Sequence, residues 1–336
     1  MREKTVMTEP VLSVRDLRVE FVTRRGILKA IDGISFDIAK GEVLGVVGES
    51  GAGKSVTGSA VIGLIDPPGR IAGGEIRLSG RRIDNLPPDE MRKVRGKRIG
   101  MIFQDPLTSL NPLFRISEQL IETIRTHTGL SASGARKRAI ELLTEVGIPA
   151  PERRIDSYPH EFSGGMRQRV VIALALCAEP ELIIADEPTT ALDVSVQAQI
   201  IALLKRLGRE HGTAIMLVTH DMGVIAETAD RVAVMYAGRI AEIGPVRDVV
   251  QNPLHPYAKG LMGAIPSLES DAARLVQIPG SMPRLSAIPP GCAFNPRCPY
   301  VFDRCRVERP EPVQHSEHRV ACHLYDQSNV RSEAVA

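Results

Sequence analysis

A glycine-rich run that directly follows a short apolar strand constrains this chain more than any other feature of its sequence. The apolar stretch, residues 41–47, is rich in valine and bounded by glycine, which predicts a buried strand. The run itself is Gly48-Glu49-Ser50-Gly51-Ala52-Gly53-Lys54-Ser55. Its glycines let successive backbone N–H groups point inward, and a helix beginning near Lys54 adds partial positive charge at the same place. We therefore expect a phosphate-binding loop between a strand and a helix of an α/β fold.

The side chains of this run, and two carboxylates downstream, predict how ATP would be bound and hydrolysed. All eight residues of the run are expected to contact ATP, with Lys54 reaching the β- and γ-phosphates and the Ser55 hydroxyl binding Mg²⁺. Asp186 and Glu187 end an apolar strand, where a parallel sheet presents its ligand site. Asp186 is expected to hold Mg²⁺, and Glu187 to orient and deprotonate the attacking water as a general base.

The sequence contains a second glycine-rich turn, which an ATPase that works as a single phosphate-loop domain does not need. It reads Phe162-Ser163-Gly164-Gly165-Met166-Arg167-Gln168-Arg169, and it is expected to open a helix running to about Ala178. A helix N-terminus with a serine hydroxyl and bare glycine N–H groups is an anion site that can serve a partner's γ-phosphate. A simple helix cap is the alternative. The adjoining Gln168-Arg169 pair and the spacing to Asp186 favour ATP held between two such domains, with Ser163, Gly164, Gly165 and Met166 acting on the partner's nucleotide.

Composition argues against several classes of function. The 336 residues carry a net charge of +2, aromatic residues make up 4% and tryptophan is absent. Nucleic-acid binding through a basic stripe or a stacking platform is therefore not expected. The first residues, MREKTVMTEP, show no signal peptide, and no run approaches the roughly 20 apolar residues of a membrane-spanning helix. We expect a soluble or peripheral chain that stays in the cytoplasm.

The order of predicted elements gives the fold class. Strands are predicted at 11–23, 34–47, 75–78 and 98–103, the first two forming an antiparallel β element before the loop. A helical insertion is predicted at about 105–178, with helices at 115–126 and 133–146. The chain then alternates between strand 182–186, helix 195–210, strand 214–218, helix 223–228 and strand 231–236. This alternation is typical of a largely parallel sheet covered by helices. An α/β phosphate-loop domain with a mixed sheet is thus expected at 1–250, and a small cysteine-containing extension at 251–336.

Together these motifs resemble the ATP-binding cassette (ABC) family, and the resemblance implies further site residues. Gln104, which follows the strand ending at Phe103, would contact the metal and the attacking water. His220 would sense the γ-phosphate. Asp193, in Thr190-Ala191-Leu192-Asp193, would lie on a loop that crosses the interface between two cassettes. Phe21 is the best candidate for an aromatic that stacks on adenine, and a plain core role for it stays open.

Four of the five cysteines lie in the extension. Cys177 stands alone in an apolar helix and is expected to be a buried small hydrophobe. The others are Cys292, Cys298, Cys305 and Cys322, with spacing C-x5-C-x6-C-x16-C. A cytoplasmic location disfavours disulfides, and the close pairs typical of structural zinc are missing. Four thiolates without such pairs favour an iron–sulfur cluster. A zinc site that includes His315, His318 or His323 stays open, as do unliganded thiols.

Other residues of the extension narrow the resemblance to the ATPases of dipeptide and oligopeptide importers. The matching segments of the extension are Asn252-Pro253-Leu254-His255-Pro256-Tyr257, Ile265-Pro266, Gly291-Cys292, Asn295-Pro296-Arg297-Cys298-Pro299 and Ala321-Cys322-His323. The segment from Asp105 to Pro112, in the helical insertion, fits the same subfamily. The resemblance covers about residues 11–325. In some members of that family the tail cysteines are associated with a [4Fe-4S] cluster.

The resemblance implies an ATPase subunit of a bacterial binding-protein-dependent importer for peptides. Expected partners are a second ATPase chain that is related but different, two membrane permeases and an external solute-binding protein, with no nucleic acid. The expected location is the cytoplasmic face of the bacterial inner membrane. An importer for nickel or another small solute is the alternative, followed by a soluble ABC ATPase without a transport role.

Overall fold

The computed structural model describes residues 9–190, 192–263 and 278–326, apart from the side chain of Leu107. Residues 1–8, Ala191 and the Ile265-Pro266 pair lie outside the described residues. The strands are β1 (Leu12–Thr23), β2 (Gly26–Ile38), β3 (Val43–Val47), β4 (Gly69–Leu78), β5 (Arg81–Arg82), β6 (Ile99–Ile102), β7 (Leu182–Asp186), β8 (Ala214–Val218), β9 (Arg231–Tyr236), β10 (Arg239–Pro245), β11 (Val313–His315) and β12 (His318–Val320). The helices are α1 (Lys54–Val61), α2 (Pro88–Val94), α3 (Pro106–Ser109), α4 (Ile116–Thr128), α5 (Ala132–Glu145), α6 (Pro151–Arg154), α7 (Gly164–Leu176), α8 (Val194–His211), α9 (Met222–Thr228), α10 (Val246–Gln251), α11 (Pro256–Gly263) and α12 (Asp303–Val307). Among the described residues, no helix combines the length and apolar character needed to cross a membrane.

The chain forms two compact units, each made of several stretches of sequence. The first unit comprises the described residues of Met1–Ser13, Asp37–Val43 and Arg77–Val218. The second comprises those of Val14–Phe36, Leu44–Ile76 and Thr219–Ala336. Sequence neighbours are thus separated, and distant segments are brought together within each unit.

Parallel strands covered by helices form the first unit. β7 lies between β6 and β8, with Ile102 paired to Ala185 and Asp186 paired to Val218. Their apolar runs are almost wholly buried, as expected of a sheet covered on both faces. α4, α5 and α7 pack against one another. α4 and α5 confirm the helices predicted at 115–126 and 133–146, inside the predicted helical insertion.

A mixed sheet forms the centre of the second unit, in the order β11-β12-β10-β9-β3. β3 is parallel to β9, whereas β9, β10, β12 and β11 pair in antiparallel fashion. In a separate sheet β2, β1 and β4 are neighbours. β1 and β2 are joined by the short turn at Arg24-Arg25, which gives the antiparallel element predicted before the phosphate loop.

Two predictions about strands need correction. The single strand expected at 34–47 is two strands, because the chain turns at 39–42 and Gly41 adopts a φ of 71°. The backbone N–H of Ala39 donates to the Glu42 carboxylate there (2.6 Å), which closes the turn.

The strand β10 was not predicted from the sequence, although it follows β9 after a two-residue turn. The extension is also joined to the sheet, since Glu242 of β10 pairs with Val320 of β12.

Candidate functional site

The phosphate loop has the strand–loop–helix context that its sequence predicts. All residues of β3 are buried, and α1 begins at Lys54. Gly48 has a φ of 152°, and a Cβ there would lie 2.3 Å from the Met235 carbonyl oxygen. Gly53 has a φ of 104°, and a Cβ there would lie 2.7 Å from Ile31. Glycine is therefore required at both positions for close packing as well as for the loop's curvature.

The ammonium group of Lys54 hydrogen-bonds to the backbone of the phosphate loop. Its Nζ donates to the carbonyl oxygens of Gly48 (2.9 Å) and Glu49 (3.2 Å), and the residue is buried. This holds a positive charge beside the N–H groups that would bind phosphate. Ser55, in the first turn of α1, is exposed, so its hydroxyl is accessible to the magnesium ion of a MgATP substrate.

In the first unit the structure brings the Gln104 and Glu187 side chains together. Gln104 follows β6 and its Nε2 donates to Glu187 Oε2 (3.1 Å). Thr190 Oγ1 donates to the same oxygen (2.8 Å). The Glu187 backbone N–H donates to the Val218 carbonyl oxygen (2.8 Å), and Asp186 is half-buried at the end of β7. The carboxylate is thus oriented by two side-chain donors, as a positioned general base requires.

The backbone at Glu187 is an unusual feature that sequence reasoning missed. Its φ of 47° lies in the left-handed region, which glutamate seldom adopts. Such a conformation costs on the order of 1–3 kcal/mol and occurs most often at functional sites. Thr190 was also missed as a partner of Glu187, although it lies only three residues downstream.

The glycine turn at the start of α7 packs beside the loop that contains Asp193. Ser163 caps α7, its Oγ accepting from the Met166 N–H (3.4 Å), and Asp193 caps α8, its Oδ1 accepting from the Val196 N–H (2.9 Å). A Cβ at Gly165 would lie 2.6 Å from Val196, so glycine lets the two helix starts approach. Ser163 and Gly164 are exposed. Capping and contact with a partner are therefore compatible.

The remaining predicted ATP-site residues lie in the second unit. His220 is exposed and follows the buried Thr219. Phe21 is half-buried, and its ring packs so closely against Gly69 that a Cβ there would lie 2.8 Å from Phe21 Cε1. The roles of His220 and Phe21 stay predictions.

The four tail cysteines converge without forming a ready-made metal site. Burial raises the pKa of Cys292 and Cys298, and raises that of Cys322 to about 12, with further increases from the charges of neighbouring cysteines. The N–H of Cys292 also donates to the Cys305 carbonyl oxygen (2.9 Å). In the described part of the chain, no group of three or more His, Cys, Asp or Glu side chains could hold a metal ion.

Each of the three tail histidines contacts another residue of the described structure. His318 Nδ1 lies 2.7 Å from Glu242 Oε1, and His323 Nε2 lies 2.9 Å from the Glu308 carbonyl oxygen. The His315 ring packs edge-on against Tyr325.

The fifth cysteine, Cys177, is buried, as predicted, and burial raises its pKa to about 11.

Comparison with known proteins places these features in one family. Residues 31–190 match the model described as ABC transporter, and residues 241–305 match that for the oligopeptide/dipeptide transporter C-terminal region. The dipeptide transport ATP-binding protein DppD of Bacillus subtilis is 49% identical over 321 residues, covering 95% of this chain and 96% of that protein. The oligopeptide transport ATP-binding protein OppD of Salmonella typhimurium is 51% identical over 300 residues, covering 89% of each.

The fold has solved counterparts. The ATP-binding cassette MJ0796, in a dimeric post-hydrolysis state bound to ADP and Pi, matches 70% of this chain and 99% of its own with a TM-score of 0.63 and 31% identity. This likeness confirms the predicted fold class. The matches of residues 31–190 and 241–305 to the two family models confirm the resemblance to the ABC family that the motifs indicate. The chain belongs to the ABC ATPases of the oligopeptide and dipeptide transporter family.

Proposed function

We propose that this chain is the ATP-hydrolysing subunit of a bacterial importer for dipeptides or oligopeptides. The observation that carries the proposal is the similarity to dipeptide and oligopeptide transport ATP-binding proteins, which extends over 95% of the chain at 49% identity. The similarity includes the extension as well as the cassette. It therefore supports a peptide substrate more strongly than the nickel alternative.

The residues of the chain supply binding, orientation and a base. The phosphate loop and Lys54 would bind the phosphates of MgATP, and Ser55 and Asp186 would hold its magnesium ion. Glu187 would take a proton from the water that attacks the γ-phosphorus, while the bond to the β-phosphate oxygen breaks and ADP leaves. Gln104 would orient that water and His220 would contact the γ-phosphate. The role of Gln104 is supported by its hydrogen bond to Glu187, which already orients that carboxylate.

ATP would close a pair of cassettes and hydrolysis would reopen it. The exposed start of α7, at Ser163 and Gly164, would contact the partner's γ-phosphate, and the Asp193 loop would lie beside it at the interface. The second cassette would be a related but different chain. The pairing is supported by the likeness to the MJ0796 cassette, whose post-hydrolysis state is dimeric.

Two permeases and an external binding protein would complete the importer, with this chain on the cytoplasmic face of the membrane. A groove in the first unit supports permease docking. It is lined by Gly96, Gly100, Met101, Phe103, Thr108, Ser109, Val171, Leu174 and Ala175. Phe103 is 46% exposed and immediately precedes Gln104, so a permease segment seated there could act on the hydrolysis site. The domains at 1–250 and 251–336, with a helical subdomain at about 105–178, are part of this proposal.

Reconstitution tests this function. The chain would be purified with its permeases and partner ATPase and placed in vesicles with the binding protein. Uptake of a labelled dipeptide or oligopeptide should require MgATP and should be lost in Lys54→Ala. Uptake of a nickel chelate without uptake of any peptide would overturn the proposed peptide substrate. ATP hydrolysis by a chain that never follows its permeases into the membrane fraction would favour the soluble alternative.

We also propose that Cys292, Cys298, Cys305 and Cys322 hold a [4Fe-4S] cluster, for which the four thiols would have to draw closer together, because among the described residues they do not form a metal-binding group. The convergence of the thiols supports it, since burial raises the pKa of Cys322 and Cys292, Cys298 and Cys305 lie close enough to raise that pKa further. When bound, the cluster would supply a covalent tie across the extension, with the thiols as thiolates. Iron, sulfide and zinc should be measured in anaerobically purified protein with its absorption spectrum. About four irons and four sulfides per chain are expected, whereas zinc or no metal would overturn the cluster.

A further inference from the structure

We propose that the C-terminal extension positions the phosphate loop, with Arg297 and Tyr257 holding Glu49 and so setting the affinity for ATP. The inference rests on the proposed function, because it concerns the loop that would bind ATP. It gives the extension a role in nucleotide binding that neither the phosphate-loop motif nor the cysteines assign to it. Both residues act through Glu49 and are positioning residues.

Glu49 is held at its side chain and at its backbone by residues more than two hundred positions away. Arg297 Nη1 donates to Glu49 Oε2 (3.0 Å), and the Arg297 side chain is only 7% exposed, against 28% for Glu49. The Glu49 N–H donates to the Tyr257 hydroxyl (2.9 Å), and Tyr257 is fully buried. All three residues belong to the second unit. The second residue of the loop is therefore fixed at two separate groups.

Arg297 is itself fixed in place. Its Nε donates to the Pro279 carbonyl oxygen (2.8 Å), and its guanidinium lies over the Tyr236 and Phe294 rings at 5.8 and 5.9 Å from their centroids. Burial alone would lower the pKa of Arg297, but hydrogen bonds to Glu49 and Tyr236 outweigh it and raise that pKa. The side chain is therefore a permanently charged donor in one geometry.

An aromatic cluster fixes the hydroxyl of Tyr257 in the same way. The Tyr236 and Tyr257 ring centroids are 4.6 Å apart, and Phe294 lies 5.2 and 5.4 Å from them. The chain has only seven phenylalanines and five tyrosines, and three of these twelve rings meet beside the phosphate loop. A packed aromatic cluster of this kind is rigid, so it can hold a loop residue in one position.

Glu49 connects the extension to the phosphate-binding lysine, because the same residue contacts both. Lys54 Nζ donates to the Glu49 carbonyl oxygen (3.2 Å), while Tyr257 and Arg297 hold the N–H and the carboxylate of the same residue. If Glu49 were released, the loop would populate other conformations, and the apparent affinity for ATP would fall in proportion to the fraction of molecules whose loop stays binding-competent. Loss of a charged hydrogen bond of this kind corresponds to roughly a tenfold change in that fraction.

A second arginine of the extension serves as a matched control. Arg309 Nη2 donates to the backbone carbonyl oxygen of Asp32 (2.8 Å), and its Nη1 lies 3.4 Å from the Asp32 carboxylate. Asp32 lies on β2 rather than on the phosphate loop. If Arg297 served only to dock the extension, Arg297→Gln and Arg309→Gln would affect ATP binding alike.

The experiment measures ATP affinity of the full-length chain by displacement of a fluorescent ATP analogue. The variants are Arg297→Gln, Glu49→Gln, their combination and Arg309→Gln, each with a melting temperature. We expect Arg297→Gln and Glu49→Gln each to weaken ATP binding about tenfold, and the double variant to be no weaker than either, because coupled residues are not additive. Arg309→Gln should bind ATP as the wild type does.

Each other outcome has a defined meaning. Unchanged affinity in Arg297→Gln, additive losses in the double variant or an equal loss in Arg309→Gln would overturn the inference while the proposed function stands. A wild-type chain that does not bind ATP would refute both. If Arg297→Gln does not fold, Tyr257→Phe provides the test, since removing one hydroxyl should weaken binding by roughly fivefold; unchanged affinity there would also overturn the inference.

Discussion

Replacing Glu187 by glutamine is expected to abolish most ATP hydrolysis while ATP binding is retained. Glu187 Oε2 accepts hydrogen bonds from Gln104 (3.1 Å) and Thr190 (2.8 Å), and the amide oxygen of glutamine can accept both. Glutamine also has the same backbone preferences at the left-handed φ of 47°. The geometry is thus preserved and only the basic group is lost. A turnover lower by roughly 10²–10⁴-fold is therefore expected, which raises the barrier by about 3–5 kcal/mol.

The assay follows phosphate release at saturating MgATP, with the ATP affinity and the melting temperature measured on the same preparation. Because the chain has no tryptophan, circular dichroism is the suitable probe of unfolding. Thr190→Val is the matched control: it removes one donor to Glu187 but keeps the carboxylate, so its turnover should fall only about tenfold. Turnover of Glu187→Gln within threefold of wild type would refute the general-base role. Loss of ATP affinity would instead show that Glu187 shapes the binding site.

Two further predictions concern the cassette pair and the extension. Ser163→Arg should leave ATP affinity of the isolated chain unchanged but stop turnover of the assembled pair; a weakened isolated chain would contradict contact with the partner's nucleotide. Burial lowers the pKa of His255 to about 4, and its Nδ1 accepts from the Tyr257 N–H (3.0 Å). The folded-state pKa lies below the unfolded value of about 6.5, so this stabilisation is complete above pH 6.5 and is lost towards pH 4. The free energy of unfolding should therefore be about 2 kcal/mol lower at pH 5 than at pH 7.5, and a profile that does not flatten in His255→Asn would refute that assignment.

The strands of the cassette could be predicted where burial on both faces leaves a continuous apolar run. β7, β8 and β9 match the predicted ranges because each run ends at a charged, polar or glycine-containing turn. The break at 39–42 was missed because a glycine with positive φ interrupts an otherwise strand-like pattern. The local pattern of apolar residues reflects burial, and a single glycine that forms a turn changes that pattern very little.

The site was predictable in proportion to how local its contacts are. The phosphate loop is contiguous, so one run of eight residues defines it. Gln104 and Glu187 are 83 residues apart, and only the family resemblance linked them before the structure showed their hydrogen bond. The Glu49–Arg297 ion pair spans 248 residues, and Arg297 directly precedes Cys298, one of the candidate cluster ligands. No spacing rule connects such positions.

Glu242 shows in physical terms why the extension cannot be understood apart from the cassette. This carboxylate is fully buried in β10, and it accepts from the N–H groups of Leu254 and His255 and lies 2.7 Å from His318 Nδ1. A buried charge is tolerated only where such partners compensate for lost hydration. Here every one of these partners comes from residues beyond 250, while the charge itself belongs to a strand before that position. The segment around Leu254 and His255, which carries the family motif, thus has a structural role of its own: its backbone N–H groups hydrogen-bond the buried Glu242 carboxylate, and it places Tyr257 beside the phosphate loop.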